Sequence, residues 1–400
     1  MATESPKGDR PRTQRLRSRR PAGGPEWLGR AGALAAGVAV VAALAPAALT
    51  ADAATTAPNK FAQTNLVANK ATLGAKLVDP NLTNAWGLAS AAGSPIWVSD
   101  NNSGNATVYS GGVNGSAVSL DLTVPVPGGN PTGQVANPTA DFPVGDTTGS
   151  AAVFIVDSDS IGTTQSPGEI AAWNGGAKFV VEDSPTGGPG GTTPTGAVFK
   201  GLAISALPTA GPELFAADVA NARVDVFNKD FVPVSTPAEF VDPAIPKGYA
   251  PFNVQTLGKN IYVTYGKQNA AKTNVVPGAG LGFVDRFSPN GVLLKHLISG
   301  GAGSPLDEPW GLAIAPAGFG PFAGKLLVGN LGNGWINVFA PVTGAYLGAL
   351  LNTSGAPVVI PGLWGLRVGN AAFGGTNALV FSSGPNNYSN GVLGILTPAG

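Results

Sequence analysis

Apolar residues along this chain come in short runs, and Gly, Pro, Asn and Asp stand between them. Ile96-Trp97-Val98, Phe154-Ile155-Val156, Leu214-Phe215-Ala216-Ala217, Ile261-Tyr262-Val263 and Leu326-Leu327-Val328 are typical. Such runs are too short for helices and rich in β-branched and aromatic residues, so they read as strands. Little of the chain beyond residue 53 keeps a helical period. The pattern predicts an all-β fold with many turns.

The runs repeat. The tripeptide Trp-Gly-Leu occurs at Trp86-Gly87-Leu88, Trp310-Gly311-Leu312 and Trp364-Gly365-Leu366. Aligning on its glycine adds Thr132-Gly133-Gln134, Lys200-Gly201-Leu202 and Phe252-Asn253-Val254, spaced by 46, 68, 52, 58 and 54 residues. Each member opens a group of short strands, and the second strand ends in a polar corner, such as Asp100, Asp157, Asp218 or Asn330. Four antiparallel strands repeated at such a period are the sequence form of a β-propeller, whose blades stack radially because one sheet cannot bury both its faces. Six members predict six four-stranded blades. The sixth has three strands before the chain ends, and the unpartnered segment 61–68 is expected to supply its outer strand and close the ring. In each blade, the innermost glycine fits the crowding at the axis, and the preceding Trp or Phe is expected to fill the wedge between blades.

The N-terminus stands apart from this pattern. Eight Lys and Arg lie within residues 1–30, an uncharged Ala/Val/Leu run follows from Ala31 to Leu49, and Ala51-Asp52-Ala53 gives a small-x-small site. That order predicts an export signal over 1–53, a short linker over 54–60 and one propeller domain over 61–400. The apolar run could also just span a bilayer, but Pro46 and the Ala-x-Ala site favour cleavage. The protein is therefore expected to be secreted or held at the cell surface, with no stable membrane span, and to be a monomer. Beyond residue 53 there are 15 basic and 19 acidic residues, a formal charge of −4. Nothing basic remains to neutralise a phosphate backbone, so nucleic acid is excluded as a partner. Zero cysteines exclude disulfides and thiol chemistry.

Taken together, Asn84-Ala85-Trp86-Gly87-Leu88-Ala89, the run Glu308–Gly320, Leu326-Leu327-Val328-Gly329-Asn330-Leu331-Gly332-Asn333-Gly334 and Gly362-Leu363-Trp364-Gly365-Leu366 resemble a family of uncharacterised bacterial secreted proteins. Its mark is a Pro-Trp-Gly-Leu-Ala…Ala-Pro…Leu-Val-Gly-Asn-Phe-Gly-Asp-Gly signature, and the resemblance covers nearly all of residues 60–397. It implies a relative of six-bladed NHL-type propellers and carries over no activity. The chain departs from the signature at Leu331 and Asn333, where the family has Phe and usually Asp.

Candidate chemistry is sparse. His296 is the only histidine, which excludes a multi-His centre; it lies in an apolar run read as an outer strand and is expected to be a partly exposed rim residue. The polar corners are expected to hold turns through bonds to nearby amides. The loop Lys267–Gly280 is too long for a hairpin turn and suits either binding or an ordinary surface loop. Asn84, Asn253, Asp307 and Glu308 lie just before or in innermost strands, where a tunnel-mouth ligand site would need them. Asp307-Glu308 has no counterpart in the other blades. No cofactor is indicated; the metal that these oxygen ligands suit is Ca²⁺. The expected function is that of an exported binding or scaffold module for an extracellular ligand or protein. The alternative is a Ca²⁺-dependent hydrolase or lyase of the lactonase or NHL-propeller type.

Overall fold

Six antiparallel sheets follow one another around a ring in the computed structural model, which describes residues 59–145, 149–159, 168–183, 196–207 and 211–399. The expected export signal, and residues 184–195 of the Gly/Pro/Thr-rich stretch, lie outside the described residues. The innermost strands are Ala85–Ala89, Pro131–Ala136, Phe199–Leu207, Tyr249–Leu257, Pro309–Ile314 and Leu363–Val368 for blades 1 to 6. Each packs against the innermost strand of the next blade, and that of blade 6 returns to blade 1. The fold is a six-bladed β-propeller.

The apolar runs are continuous because each sheet is covered on both faces. Side chains alternate along a strand, so successive residues of one run serve two different interfaces. Leu214 and Ala216 pack toward blade 2, whereas Phe215 and Ala217 pack toward blade 4. Likewise Leu326 and Val328 face blade 4, and Leu327 faces blade 6. Six such interfaces carry the buried core, each a layer of side chains from two neighbouring blades.

Strand Lys60–Ala68 lies antiparallel beside the last strand, Val392–Pro398, in register from Phe61 opposite Pro398 to Ala68 opposite Val392. Blade 6 therefore has its outer strand from the start of the propeller and its other three from the end, as the unpartnered segment 61–68 predicted. Phe61, Leu66 and Val67 are buried in the interfaces on its two sides. Blade 3 departs from the four-strand plan: its sheet holds Phe199–Leu207, Gly211–Asp218 and Arg223–Phe227. Beyond it only an isolated bridge joins Phe227 to Pro233. Pro233 has no N–H to extend a ladder, and the Val226 N–H is taken by the Ser235 hydroxyl instead, at 2.8 Å.

The inner glycines are where blades touch. A Cβ on Gly311 would lie 2.5 Å from the Trp364 carbonyl, and one on Gly365 would lie 2.7 Å from the Trp86 carbonyl. The crowding expected from the sequence is thus between backbones of adjacent innermost strands. The tryptophans beside those glycines do something other than expected. They do not fill the wedges, which hold other aromatics, such as Trp97 stacked on Phe154 at 4.3 Å. Trp86, Trp310, Trp364 and Phe252 turn inward and meet on the axis, where the register of each innermost strand shifts, between Ala85 and Leu88, Pro309 and Gly311, Leu363 and Leu366, and Pro251 and Asn253.

Candidate functional site

The axis is closed by this aromatic cluster. Trp86 and Trp364 stack at 3.4 Å, and Trp310 stands edge-on to both at 6.1 and 5.9 Å. Edge-to-face and offset pairs suit the ring quadrupoles. All three indoles are at most 4 % exposed. The Trp310 N–H donates to the Lys200 carbonyl at 2.9 Å, and the Trp364 N–H donates to the Asn84 side-chain oxygen at 3.0 Å. The Trp86 N–H is buried with no partner among the described residues. Lys200, in the place of an aromatic in blade 3, puts its ammonium 5.1 Å from the Trp86 ring centre and pairs with Asp159 at 2.6 Å. On one side of the plug lies a blind cavity of about 150 Å³, lined by all six innermost strands and ending near Arg367, whose guanidinium donates to Ser90.

The other side is the mouth where the innermost strands begin. The residue three places before the aligned glycine has a left-handed backbone in four blades: Asn84, Asn130, Glu308 and Gly362, with φ of 52°, 46°, 52° and 67°. Asn and Gly tolerate that conformation; Glu does so only at a cost. The Glu308 backbone is fixed there by its N–H on the Leu281 carbonyl and its carbonyl under the Leu331 N–H. Its carboxyl has no hydrogen-bond partner among the described residues, although the residue is only 4 % exposed. Burial, and then the neighbouring charge of Asp307, push its pKa up to about 8, so near neutral pH it is mostly a neutral carboxylic acid.

Above Trp364 sits Tyr388, at a ring separation of 5.8 Å and with 37 % of its surface exposed. It belongs to a turn in which Asn386, Asn387 and Tyr388 are all left-handed, with φ of 57°, 51° and 63°. A left-handed turn of L-residues costs about 1–2 kcal/mol per residue. Here it is held by the Tyr388 N–H on the Gly384 carbonyl and by the Asn102 amide, which donates to the Tyr388 carbonyl at 2.7 Å. The Tyr388 hydroxyl has its pKa raised by burial and then by Glu308.

Of the four residues singled out from the sequence, Asn84 and Glu308 share this mouth. Asn84 orients Trp364 and is itself held by Asn101 and Asn102 at 3.2 and 3.1 Å. Asp307 is next to Glu308, but its carboxylate accepts the Gly278 N–H at 2.8 Å and anchors the loop Lys267–Gly280. That loop lies over the axis and seats Val275 in the aromatic cluster. Asn253 lies in the seams to both neighbouring blades. Its amide donates to the Trp310 carbonyl at 2.7 Å, and its side-chain oxygen sits where a Cβ on Gly201 would go. The corners serve the blades: Asp218 collects the N–H groups of Val198, Ala220 and Asn221. Asp157 reaches into the innermost strand, accepting from Thr132 and Gly133. Asp100 accepts from Thr107 on the third strand.

Sequence reasoning missed Tyr388 and Lys200 as parts of the mouth. Asn386, Asn387 and Tyr388, in the Pro385–Asn390 turn, carry no repeat signal, and Lys200 stood out only as a break in the aromatic column. It also missed the company of His296, which is 26 % exposed on the outer strand of blade 4, Leu293–Ile298, but contacts the carboxylates of Asp242 and Asp285. Among the described residues no helix is long and apolar enough to cross a membrane.

No family model matches the chain. Two relatives are Uncharacterized proteins R648 and L690 of Acanthamoeba polyphaga mimivirus. The first is 29 % identical over 342 residues, 82 % of this chain and 78 % of the relative; the second is 28 % identical over 340 residues, 83 % and 84 %. These relatives are viral, where the signature pointed to bacterial secreted proteins. Among solved structures, the GH93 alpha-L-arabinofuranosidase of Fusarium graminearum in complex with arabinobiose is similar with a TM-score of 0.52 and 10 % identity, over 85 % of this chain and 98 % of that one. That likeness is one of fold: the chain is a six-bladed propeller with viral sequence relatives.

Proposed function

We propose that this chain is an exported binding module that takes a neutral, polyhydroxylated ligand of the saccharide class at the axial mouth beside Tyr388 and Glu308. The observation that carries the reading is Glu308: a strained, mostly neutral carboxyl with no hydrogen-bond partner among the described residues, next to an exposed aromatic ring. The residue is only 4 % exposed, so a hydrogen bond formed there with a ligand hydroxyl is stronger than the same bond in water. Around it the hydrogen-bonding groups include the neutral amides of Asn84 and Asn102, and the nearby Lys200 is already paired with Asp159. Aromatic faces with neutral donors and acceptors suit sugar rings, which present C–H faces and hydroxyl edges.

The test is a titration of the purified protein with neutral mono- and oligosaccharides, read by indole emission, because three tryptophans lie directly under the mouth. Saturable binding of at least one saccharide is expected, lost in Glu308→Ala and Tyr388→Ala but kept in Glu308→Gln, which preserves a neutral donor. No binding across the panel rejects the reading. Binding of Ca²⁺ that Glu308→Gln abolishes would favour instead the lactonase-like alternative, with Asp307 and Glu308 supplying oxygens.

A further inference from the structure

His296 and its neighbours form a second centre, remote from the axis and independent of the mouth. Asp285 is on the third strand of blade 4, Phe283–Phe287, and His296 is its direct partner on the outer strand. Two positions opposite each other in one sheet are rigidly placed. Asp242 comes from the segment between blades 3 and 4, where its Oδ1 accepts the Ala244 N–H at 2.8 Å and leaves Oδ2 turned toward the histidine. The His296 Nδ1 lies 2.7 Å from Asp242 Oδ2 and 2.9 Å from Asp285 Oδ1, and the three ligand atoms are all within 4.8 Å of one another. On the other side of the ring, Nε2 meets the Ser299 hydroxyl at 3.0 Å.

This cluster is short of positive charge. One Nδ1 hydrogen serves Asp242, and neither Asp285 oxygen has a hydrogen bond in favourable geometry although the side chain is fully buried. The Tyr265 hydroxyl, on a residue 3 % exposed, faces Asp285 and lies within the field of both Asp285 and Asp242. Two carboxyl groups and a phenol packed around one imidazole, out of water, are costly unless a proton or a cation joins them. Asp242 and Tyr265 also line a groove of about 710 Å³ between blades 3 and 4.

We propose that Asp242, Asp285 and His296 form a binding site for a divalent first-row metal ion of the Zn²⁺ type, with its remaining coordination position toward this groove. Two carboxylate oxygens and one imidazole nitrogen are a ligand set for such ions rather than for Ca²⁺, and three protein ligands leave a position open. Ligand distances of about 2.0–2.2 Å need the three atoms to spread only slightly from their present separations. The Nε2–H donated to Ser299 is the outer hydrogen bond that commonly fixes the ring of a metal-bound histidine.

The bonds Ser299–His296–Asp242 also have the order of a hydrolytic triad, but that reading gives Asp285 and Tyr265 nothing to do. The test separates the two. Protein freed of metal by chelator and dialysis is titrated with Zn²⁺ by calorimetry and with Co²⁺ by visible absorption. One equivalent of each is expected, with the intense d–d bands of a low-coordinate site, and Zn²⁺ is expected to raise Tm. His296→Gln and Asp285→Asn lose uptake and the Tm rise, whereas Glu308→Gln keeps both. Asp285→Asn, which takes one of the two facing carboxyl groups out of the cluster, should fold and have a metal-free Tm no lower than that of the parent. The proposal is overturned by absence of stoichiometric uptake, by uptake that survives both substitutions, or by covalent labelling of Ser299 by a fluorophosphonate in protein that takes up no metal.

Discussion

Trp310 shows how much one side chain carries here: it stands edge-on to two other indoles, and its N–H holds the Lys200 carbonyl. Trp310→Ala should cost about 3–5 kcal/mol, the range for emptying a buried aromatic position. Trp364→Phe, which keeps most of the ring but loses the bond to Asn84, should cost closer to about 1 kcal/mol. Chemical denaturation of both variants checks the ratio; equal costs would mean that the axis is not packed as described. The buried carboxyls set a pH dependence. Burial is the main cause that raises Asp157 to about 7 and Glu308, Asp225 and Asp285 to about 8. A carboxyl whose folded pKa is raised holds its proton in the folded state after the unfolded chain has released it. Its contribution is complete below the unfolded value and is lost as pH rises through the folded one. Tm should therefore fall by several degrees between pH 5.5 and 8.5, and less steeply in Glu308→Gln. A Tm that rises over that window contradicts the assignment. At this scale the sequence was least legible. It marked Asp307-Glu308 as unlike the other blades, but a positive φ at Glu308, a left-handed turn at Tyr388 and the meeting of Asp242 with His296 depend on tertiary contacts that no local pattern encodes.

Among the strands, the period of the inner glycine was readable because the same backbone crowding recurs at successive blade interfaces. Gly311→Ala pushes a Cβ against the Trp364 carbonyl and should destabilise by about 1–3 kcal/mol, as overpacking does, without altering the far-ultraviolet spectrum of the folded protein. The outer strand of blade 6 was legible for a different reason: a strand-like segment with no partner nearby must find one elsewhere. Removing 60–68 takes Phe61, Leu66 and Val67 out of two interfaces and leaves the edge of Val392–Pro398 unpaired. That variant should melt far below the parent or aggregate, and an unchanged Tm would refute the closure. The same pattern reading failed on the tryptophans. Alternation says which residues share a face, but for an innermost strand there is a third direction, the axis, and Trp86, Trp310 and Trp364 take it. It also overcounted in blade 3, where prolines after Phe227 leave only a bridge in place of an outer strand.

The whole ring explains why the sites lie where they do. Six interfaces built from apolar layers make the disc rigid, so strained elements such as the Asn386–Tyr388 turn can be held at its surface. The aromatic plug removes a through-channel, and a ligand coming to the axis meets Tyr388 and Glu308 at one end or the Arg367 cavity at the other. Ligand binding at that mouth depends most directly on Glu308 being a neutral donor. Carbon-13 NMR of the glutamate carboxyls reads this directly, since beyond residue 53 only Glu169, Glu182, Glu213, Glu239 and Glu308 contribute and Glu308→Gln assigns the signal. A midpoint near 8 is expected in the free protein, moving further up when a bound saccharide accepts the proton's hydrogen bond. A midpoint in the ordinary carboxylate range, unmoved by any saccharide, would contradict it.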